Sequence, residues 1–484
     1  MTAAITTDPS PHPKISLLVP FTIAGGLFME GLDSSIIGTS LPPIAESLAV
    51  SPQALSMAIT GYLLSLAVFI PMSGWIADRF GARKVYCAAI VIFTIGSALC
   101  GFATDLGTMV AMRILQGFGG AMMTPVGRLI LARSFPKEKL MTAMNYMGIP
   151  ALVGPMLGPV IGGFITTYFS WHWIFFINIP IGIVLVGLTL WLIDDIAMPR
   201  PPAFDIKGFI IVGSGLACAQ LAIESLGRDI VPGWGQALLF VLAAIILLAY
   251  WHHARSHPSP VLDLSLFRIR TFRVSVTWGS VSRMGIGAVP FLLPLLFQAG
   301  FGLDPLHSGL LTFVTTVGAF LMRVGIPKIV RTLGLRTVLM GNAGLLGIML
   351  AGFALLRADT PHWIVLAYLF VFGFLRSVQF STLGVMNYAD LTPEMMSRGT
   401  SIAAVAQRIS MSAGVGVSAT LLSLLVGPTD APTTADFAPV FVIVGLTEFV
   451  AIWGFRTLSA SDGAQVSGYR KRPVAAAARE AAGD

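Results

Sequence analysis

Fourteen apolar stretches, each long enough to cross a bilayer as a helix, succeed one another through this chain with short polar breaks between them. The first lies near 16–40 and the last near 439–457. Stretches of about 17 to 25 residues match a hydrocarbon core of roughly 30 Å. With 55% hydrophobic and 11% charged residues over 484 positions, the chain is far from the roughly 25% charge of a soluble domain. It reads as an all-α, polytopic membrane protein whose lasting surroundings are lipid.

Lysine and arginine test that topology independently, because positively charged loops stay cytoplasmic. With both termini inside, only Arg228 and Arg357 of the 30 Lys and Arg fall in outer segments, and a few more lie within spans. The net charge of +7 is therefore a topological signal and no argument for a nucleic-acid partner. The run Arg470-Lys471-Arg472 sits in a polar tail expected to be disordered. Cys87 and Cys100 lie near opposite ends of one span, roughly 20 Å apart, and Cys218 lies in another, so no disulfide framework is expected. The polar Met1 to Pro13 does not read as a cleaved signal peptide.

Two segments repeat at a fixed offset. Pro52 precedes Gly81 as Pro305 precedes Gly334, and both pairs differ by 253 positions (305 − 52 and 334 − 81). Each proline opens a helix outside and each glycine closes a turn inside, as expected of two parallel half-repeats. The predicted organisation is a cytoplasmic tail (1–15), an N-terminal six-helix bundle (16–194), an inserted helix pair with its linkers (195–272), a C-terminal six-helix bundle (273–457) and a cytoplasmic tail (458–484). The most informative turn carries Gly74, Asp78, Arg79, Gly81, Arg83 and Lys84 between two spans, a pattern suited to a latch that changes partners. In the second half Asp78 maps to Arg331 and Gly74 to Pro327, so the latch is intact in one half only.

This turn resembles the loop between helices two and three of the major facilitator superfamily. Leu32-Asp33-Ser34-Ser35-Ile36-Ile37-Gly38-Thr39-Ser40-Leu41-Pro42 is similar to the first-helix motif of its 14-helix drug:proton antiporters, the EmrB/QacA type. Arg113-Ile114-Leu115-Gln116-Gly117 resembles the fourth-helix motif. Gly154-Pro155, Gly158-Pro159 and Gly162-Gly163 resemble the antiporter motif of helix five. Trp171-His172-Trp173-Ile174-Phe175-Phe176-Ile177-Asn178-Ile179-Pro180-Ile181-Gly182 is the most specific string. Gly119 to Leu129 is most similar to the MdtD-like branch. The resemblance implies a major facilitator fold of two six-helix bundles plus an inserted pair, in a bacterial inner membrane, acting as a proton-coupled exporter of amphiphilic compounds.

Asp33 and Arg113 fall roughly 9 to 12 Å deep in antiparallel spans and could pair. A lone ion at that depth costs at least about 2.5 to 3.5 kcal/mol, and a carboxylate beside a movable arginine can switch its proton affinity. A permanent ion pair is the alternative. Asp33 is the expected proton carrier, tuned by Arg113, with Glu30, one turn away, as the second candidate. The repeat offset places Arg283 at the position equivalent to Glu30, so a Glu30–Arg283 pair across a shared cavity is also expected. Arg376 and Gln379, one turn apart, stand where the family more often shows glycine. With Arg283 and Arg408 they could contact an anionic substrate, or else neutralise buried acids. Arg128 and Arg323 are expected to snorkel, and Glu448 to have a structural partner. Gly154, Gly158 and Gly162 line one helix face and permit close approach, while Pro155 and Pro159 weaken that helix.

His252, His253 and His257 supply too few ligands for a metal centre. No phosphate loop of the Gly-x4-Gly-Lys-Ser/Thr kind and no zinc-protease string is present, so neither cofactor nor enzymatic activity is expected. The reading is a secondary transporter of a small molecule against protons, working as a monomer. Export of an organic anion through the intramembrane arginines is the alternative, and a non-transporting membrane sensor is the alternative of another class.

Overall fold

The computed structural model describes residues 18–50, 52–194, 203–226, 231–303, 305–323, 325–426 and 432–469. The N-terminal tail, Arg228, the Arg470-Lys471-Arg472 run and the side chain of Pro159 lie outside the described residues. All regular structure among those described is helical. The first part comprises α1 (Leu18–Ser47), α2 (Pro52–Phe69), α3 (Ser73–Phe80), α4 (Ala82–Cys100), α5 (Leu106–Ser134), α6 (Lys137–Tyr168), α7 (Trp173–Phe176) and α8 (Asn178–Leu192). Next come α9 (Ile206–Glu224) and α10 (Gly233–Ser256), then α11 (Arg270–Leu295), α12 (Pro305–Met322), α13 (Ile326–Leu333) and α14 (Leu335–Gly352). The chain continues through α15 (His362–Met386), α16 (Met396–Leu425), α17 (Thr434–Phe455) and α18 (Ala464–Ser467).

Among the described residues eleven helical stretches are long and apolar enough to cross a membrane, or twelve if α12 and α13, bent by 60°, form one span. Two further long helices, α1 and α5, are outside that group. They carry Glu30, Asp33, Arg113, Gln116 and Arg128, so the polar groups that lower their hydropathy are those with chemistry to offer.

Packing divides the helices. In the first set α1 lies against α6 and α8, and α5 against α2 and α4; in the second α11 lies against α16 and α17, α12 against α15, and α14 against α17. Between the sets α9 pairs with α10 and leans on both α2 and α16, closing the gap where the two sets meet.

The repeat extends to individual hydrogen bonds. α2 and α12 each open on proline and run 18 residues, and α3 and α13 each run 8. Gly81 N–H donates to Ala77 O at 3.0 Å, and Gly334 N–H to Val330 O at 2.9 Å. Both glycines have φ in the left-handed region, at 92° and 79°, where a Cβ would clash with the backbone. This leaves a single residue between α3 and α4 and between α13 and α14. The halves differ in one respect: Met57–Phe80 runs as one span, whereas α12 and α13 are bent.

α6 is continuous through Pro155. Its glycines bring it against α1: a Cβ on Gly154 would lie 2.4 Å from Phe28 O, and one on Gly158 would lie 1.8 Å from Ser35 Oγ. Gly162 is buried, and Gly163 faces open space, so the contact ends within the motif.

Residues 458–469 correct the expectation of a disordered tail starting at 458. They fold back on the bundle, with Leu458 and Val466 buried and α18 packed on α6 and α13. Composition suggested disorder, but two apolar side chains at the right spacing suffice to dock a short segment on an existing core.

Candidate functional site

Several polar assemblies interrupt the apolar interior of the described residues. The first surrounds Asp33. Arg113 Nη1 donates to Asp33 Oδ2 at 2.6 Å, and both side chains are sealed from solvent. Gln116 Nε2 donates to Asp33 Oδ1 at 2.8 Å, and its Oε1 accepts from Arg113 Nη1 at 2.6 Å. Asn178 Nδ2 adds a long contact to Asp33 Oδ1 at 3.4 Å and donates to Ser97 Oγ at 2.9 Å. The guanidinium also lies over the Tyr62 ring, 4.5 Å from its centroid. Sequence reasoning brought Asp33 and Arg113 together correctly but gave no role to Gln116 or Asn178. Gln116 was legible in principle, lying one turn from Arg113 on the same face. Asn178 was not, because only the tertiary fold brings α8 beside α1. The Trp171 to Gly182 string thereby gains a purpose: Ile174 and Phe175 anchor it in an apolar core, and Asn178 reaches the ion pair.

The second assembly is a cavity of about 450 Å³ between the two helix sets. Ile59, Leu63 and Leu66 of α2, Phe291 of α11 and Met411 and Val415 of α16 make it largely apolar, and Glu30, Thr124, Arg128, Gln407, Arg408 and Ser412 add polar groups. Thr124 Oγ1 donates to Glu30 Oε2 at 2.8 Å, and Arg408 and Arg128 place positive charge near it. Arg128 Nη1 donates to Gln407 Oε1 at 3.0 Å across the two sets, so it bridges them instead of snorkelling. Arg408 lines the cavity with its Nε buried and without a hydrogen-bond partner. Helix α9 adds Ile223, Glu224 and Leu226 to the wall. Glu224 Oε1 accepts from Gln220 at 3.0 Å and from Ser412 at 3.3 Å, so the inserted pair is part of the chamber.

The structure separates the other predicted contacts. Arg283 does not face Glu30. Its Nη1 donates to Ser275 O at 3.3 Å on its own helix and lies along Gly279, where a Cβ would be 3.2 Å away. The offset aligned Cα positions, but helical side chains point toward the N-terminus, carrying this guanidinium about one turn, roughly 6 Å, from the expected depth. Arg376 and Gln379 are likewise not among the cavity-lining residues. Gln379 is fully buried, accepting from Asn342 at 2.9 Å and donating to Ser282 Oγ at 3.3 Å. Ser282 Oγ in turn contacts both Glu448 oxygens, at 3.0 and 2.8 Å, which supplies the structural partner expected for Glu448. Arg376 is half-buried near the charge of Arg323. Arg323 does not snorkel: its Nη1 donates to Asn145 O at 3.1 Å, over Gly148.

The third assembly is the turn after α3. Asp78 finds its cation outside the motif: Arg133 Nη2 at the end of α5 donates to Asp78 Oδ1 at 2.6 Å. Ser397 Oγ, in the first turn of α16, donates to Asp78 Oδ2, where a helix N-terminus favours negative charge. Gly74 N–H donates to Ser401 Oγ at 3.1 Å, and a Cβ on Gly74 would lie 2.6 Å from Ser397 O. Within the motif, Arg83 Nη1 reaches Ile193 O at 3.2 Å, and Arg79 is exposed. The contacts of Asp78 thus come from α5 and α16, whereas Arg79 is exposed and Arg83 turns to the end of α8.

Nearby, the linkers of the inserted pair cover this junction. Phe204 packs on Trp75 with ring centroids 4.8 Å apart, and Arg398 Nη1 donates to Asp263 Oδ2 at 2.9 Å. Asp205 caps α9 through Gly208 N–H at 2.8 Å and meets His253 Nε2 at 2.9 Å. Burial works against its negative charge, but the Gly208 and His253 contacts outweigh it, so its pKa lies below the ordinary carboxylate value. The other two histidines do not complete a metal site: among the described residues no group of three ligating side chains is found.

A family model described as Major Facilitator Superfamily matches residues 23–415. Among curated relatives, a "Putative multidrug resistance protein MdtD" of Pectobacterium carotovorum subsp. carotovorum (strain PC1) is 38% identical over 430 residues, 89% of this chain and 92% of the relative. Its namesake in Serratia proteamaculans (strain 568) is 37% identical over 400 residues, 83% of this chain and 84% of the relative. Two solved structures share the fold at a TM-score of 0.66. The human organic anion transporter MFSD10 (TETRAN) is 14% identical, covering 90% of this chain and 98% of that one. The proton:xylose symporter XylE bound to 6-bromo-6-deoxy-D-glucose is 15% identical, covering 93% and 97%. At such identities these two speak for the fold alone.

Proposed function

The chain belongs to the major facilitator superfamily, and from that premise we propose that it is a secondary multidrug transporter, exporting small amphiphilic compounds in exchange for protons. The MdtD relatives support the drug-transport reading. The observation that carries the mechanism is Glu30 on the wall of a largely apolar cavity between two helix sets. Counting α1 and α5 as spans alongside the twelve gives fourteen. The basic turns then lie in the cytoplasm together with both termini.

Glu30 is the proton carrier in this reading. It faces the space that cargo would enter, and among the described residues it accepts a hydrogen bond from a neutral hydroxyl. Asp33 is a fixed strut, since Arg113, Gln116 and Asn178 occupy both its oxygens in a sealed site. Protonating Glu30 removes the negative charge that attracts Arg408 on the opposite set. That changes the balance between two arrangements of the bundles, as a coupled ligand must. Asp78, with Arg133 and Ser397, holds the cytoplasmic side closed while the cavity reaches the opposite end at Glu224 and Ala419. The close contact of Gly154 and Gly158 with α1 keeps ions from leaking beside Glu30.

Proton flux in vesicles reconstituted with the full chain, on adding a lipophilic cation, tests this. Flux should appear in the wild type and vanish in Glu30→Gln. Asp33→Asn should instead lose thermal stability, because it strands a buried arginine at a cost of about 3–5 kcal/mol. Wild-type flux in Glu30→Gln would reject Glu30 as carrier. A second reading, export of an organic anion, rests on Arg408, which lines the cavity and whose Nε has no hydrogen-bond partner among the described residues, so its guanidinium has a donor left for a carboxylate. Under it, Arg408→Ala would abolish flux driven by an amphiphilic carboxylate and leave flux driven by the cation.

A further inference from the structure

The second-half turn lacks the acid that fastens its first-half counterpart, yet another part of the chain covers it. We propose that residues 458–469 form a second clamp on the cytoplasmic side, standing in for the missing half of the latch. The inference rests on the alternating-access reading only for its consequence; the clamp itself is a matter of packing.

Position supports it first. Under the 253-residue offset, α3 against α16 corresponds to α13 against α6, and Ser397 and Ser401 correspond to Met144 and Gly148. None of the hydroxyl or carboxylate chemistry of the first crossing survives in the second. In its place α18 packs on both α13 and α6, the pair of elements that a latch would have to join.

The segment is also shaped for that place. Val466 is fully buried in an apolar core shared with Leu140 and Met144 of α6 and Val330 and Leu335 beside the turn. Gly463 and Gly468 bracket α18 with φ of 70° and 67°, a conformation other residues adopt only with strain. A Cβ on Gly463 would lie 2.1 Å from Leu335 Cδ1, and one on Gly334 would lie 3.5 Å from the Tyr469 ring. The backbone has therefore been brought as near the turn as glycine permits.

Its anchor belongs to the second set. Arg270, the first residue of α11, reaches Asp462 Oδ1 at 2.7 Å and Ser459 Oγ at 3.1 Å, and Ser459 N–H donates to Asp462 Oδ2 at 2.9 Å. The segment is thus tied to one helix set by Arg270 and by its continuity with α17, and inserted into the other through Val466. Separating α6 from α13 must draw Val466 out of its core, so this contact opposes inward opening as Asp78 does on the other side.

The test uses the full chain in lipid vesicles, its three native cysteines replaced and spin labels placed at Lys139→Cys on α6 and Thr332→Cys on α13. Val466→Asp puts a charge where none can be solvated and should raise the population with the wider separation at least about tenfold. Asp462→Ala, which loosens only the anchor, should raise it about twofold. A folded Val466→Asp with the wild-type distance distribution would overturn the clamp. Should Val466→Asp fail to fold, unchanged distances in Asp462→Ala and Arg270→Ala would overturn it equally. Because the readout is a distance, it holds whether or not cargo moves. Absence of transport in the wild type would count against the functional reading and leave this one standing.

Discussion

Two crossings join the helix sets of this transporter beside the α3 and α13 turns, and they share a helix–glycine–helix turn but not a chemistry. At the first, α3 meets α16 through Asp78, Arg133, Ser397, Ser401 and the bare backbone of Gly74. At the second, α13 approaches α6 with Pro327 and Arg331 in the corresponding positions. There Arg323 reaching Asn145 O and the buried Val466 make the connection. Duplication preserved what the backbone needs, a proline to open and a glycine to turn, while the side chains that join the halves diverged. A charged fastening can be released by changing its hydrogen-bond partners, whereas an apolar one is released only by re-exposing buried surface. The two sides therefore need not open with equal ease.

Asp78→Ala should break the contrast most severely. It strands Arg133, and removing one partner of a buried pair costs about 3–5 kcal/mol, so transport in vesicles should fall at least tenfold. Arg331→Ala in the second crossing should leave it within about twofold, which the same assay compares directly. Gly74→Ala should come next: its new Cβ would meet Ser397 O at 2.6 Å, and forcing the helices apart costs about 1–3 kcal/mol. Pro327→Ala has no such neighbour to displace, and equal losses in the two variants would show that the crossings are alike after all.

Gly81→Ala and Gly334→Ala bear on what the crossings share. Both force a side chain into the left-handed region at about 1–2 kcal/mol, so thermal unfolding should register similar losses in each. A loss confined to one would deny the common turn. The smallest effect concerns pH. Burial raises the pKa of Asp462, but Ser459 and Arg270 hold it below the ordinary carboxylate value. A lowered carboxylate pKa contributes stability above the unfolded value, near 3.9, and loses it as pH falls through the folded value. The difference in unfolding between wild type and Asp462→Ala should therefore be constant from about pH 5 to 8 and shrink in stronger acid.

Much of this architecture was legible in the residues. Apolar run length gives helices, and the Pro52/Gly81 and Pro305/Gly334 spacing gives a repeat that extends to individual hydrogen bonds. Depth and charge sufficed to pair Asp33 with Arg113, because two antiparallel spans at equal depth offer each other few other partners. The same depth argument failed for Glu30 and Arg283. A glutamate head stays near its own Cα level, while an arginine can lie along its helix, and here it does so past Gly279. Arg376 and Gln379 looked like cargo contacts because they are polar in a span, yet Gln379 serves the buried Asn342–Ser282–Glu448 chain.

What the sequence determined by itself was local and periodic: which segments are helical, where each turn needs glycine, and which charges lie in lipid. Those properties depend on neighbours three or four residues away. Tertiary structure alone decided partnership. That Asp78 takes Arg133 and not Arg79, that Glu30 and not Asp33 faces the cavity, that α9 lends Glu224 to its wall, and that residues 458–469 close the second crossing depend on which helix faces meet. Such contacts join residues far apart along the chain, and no spacing within one segment encodes them.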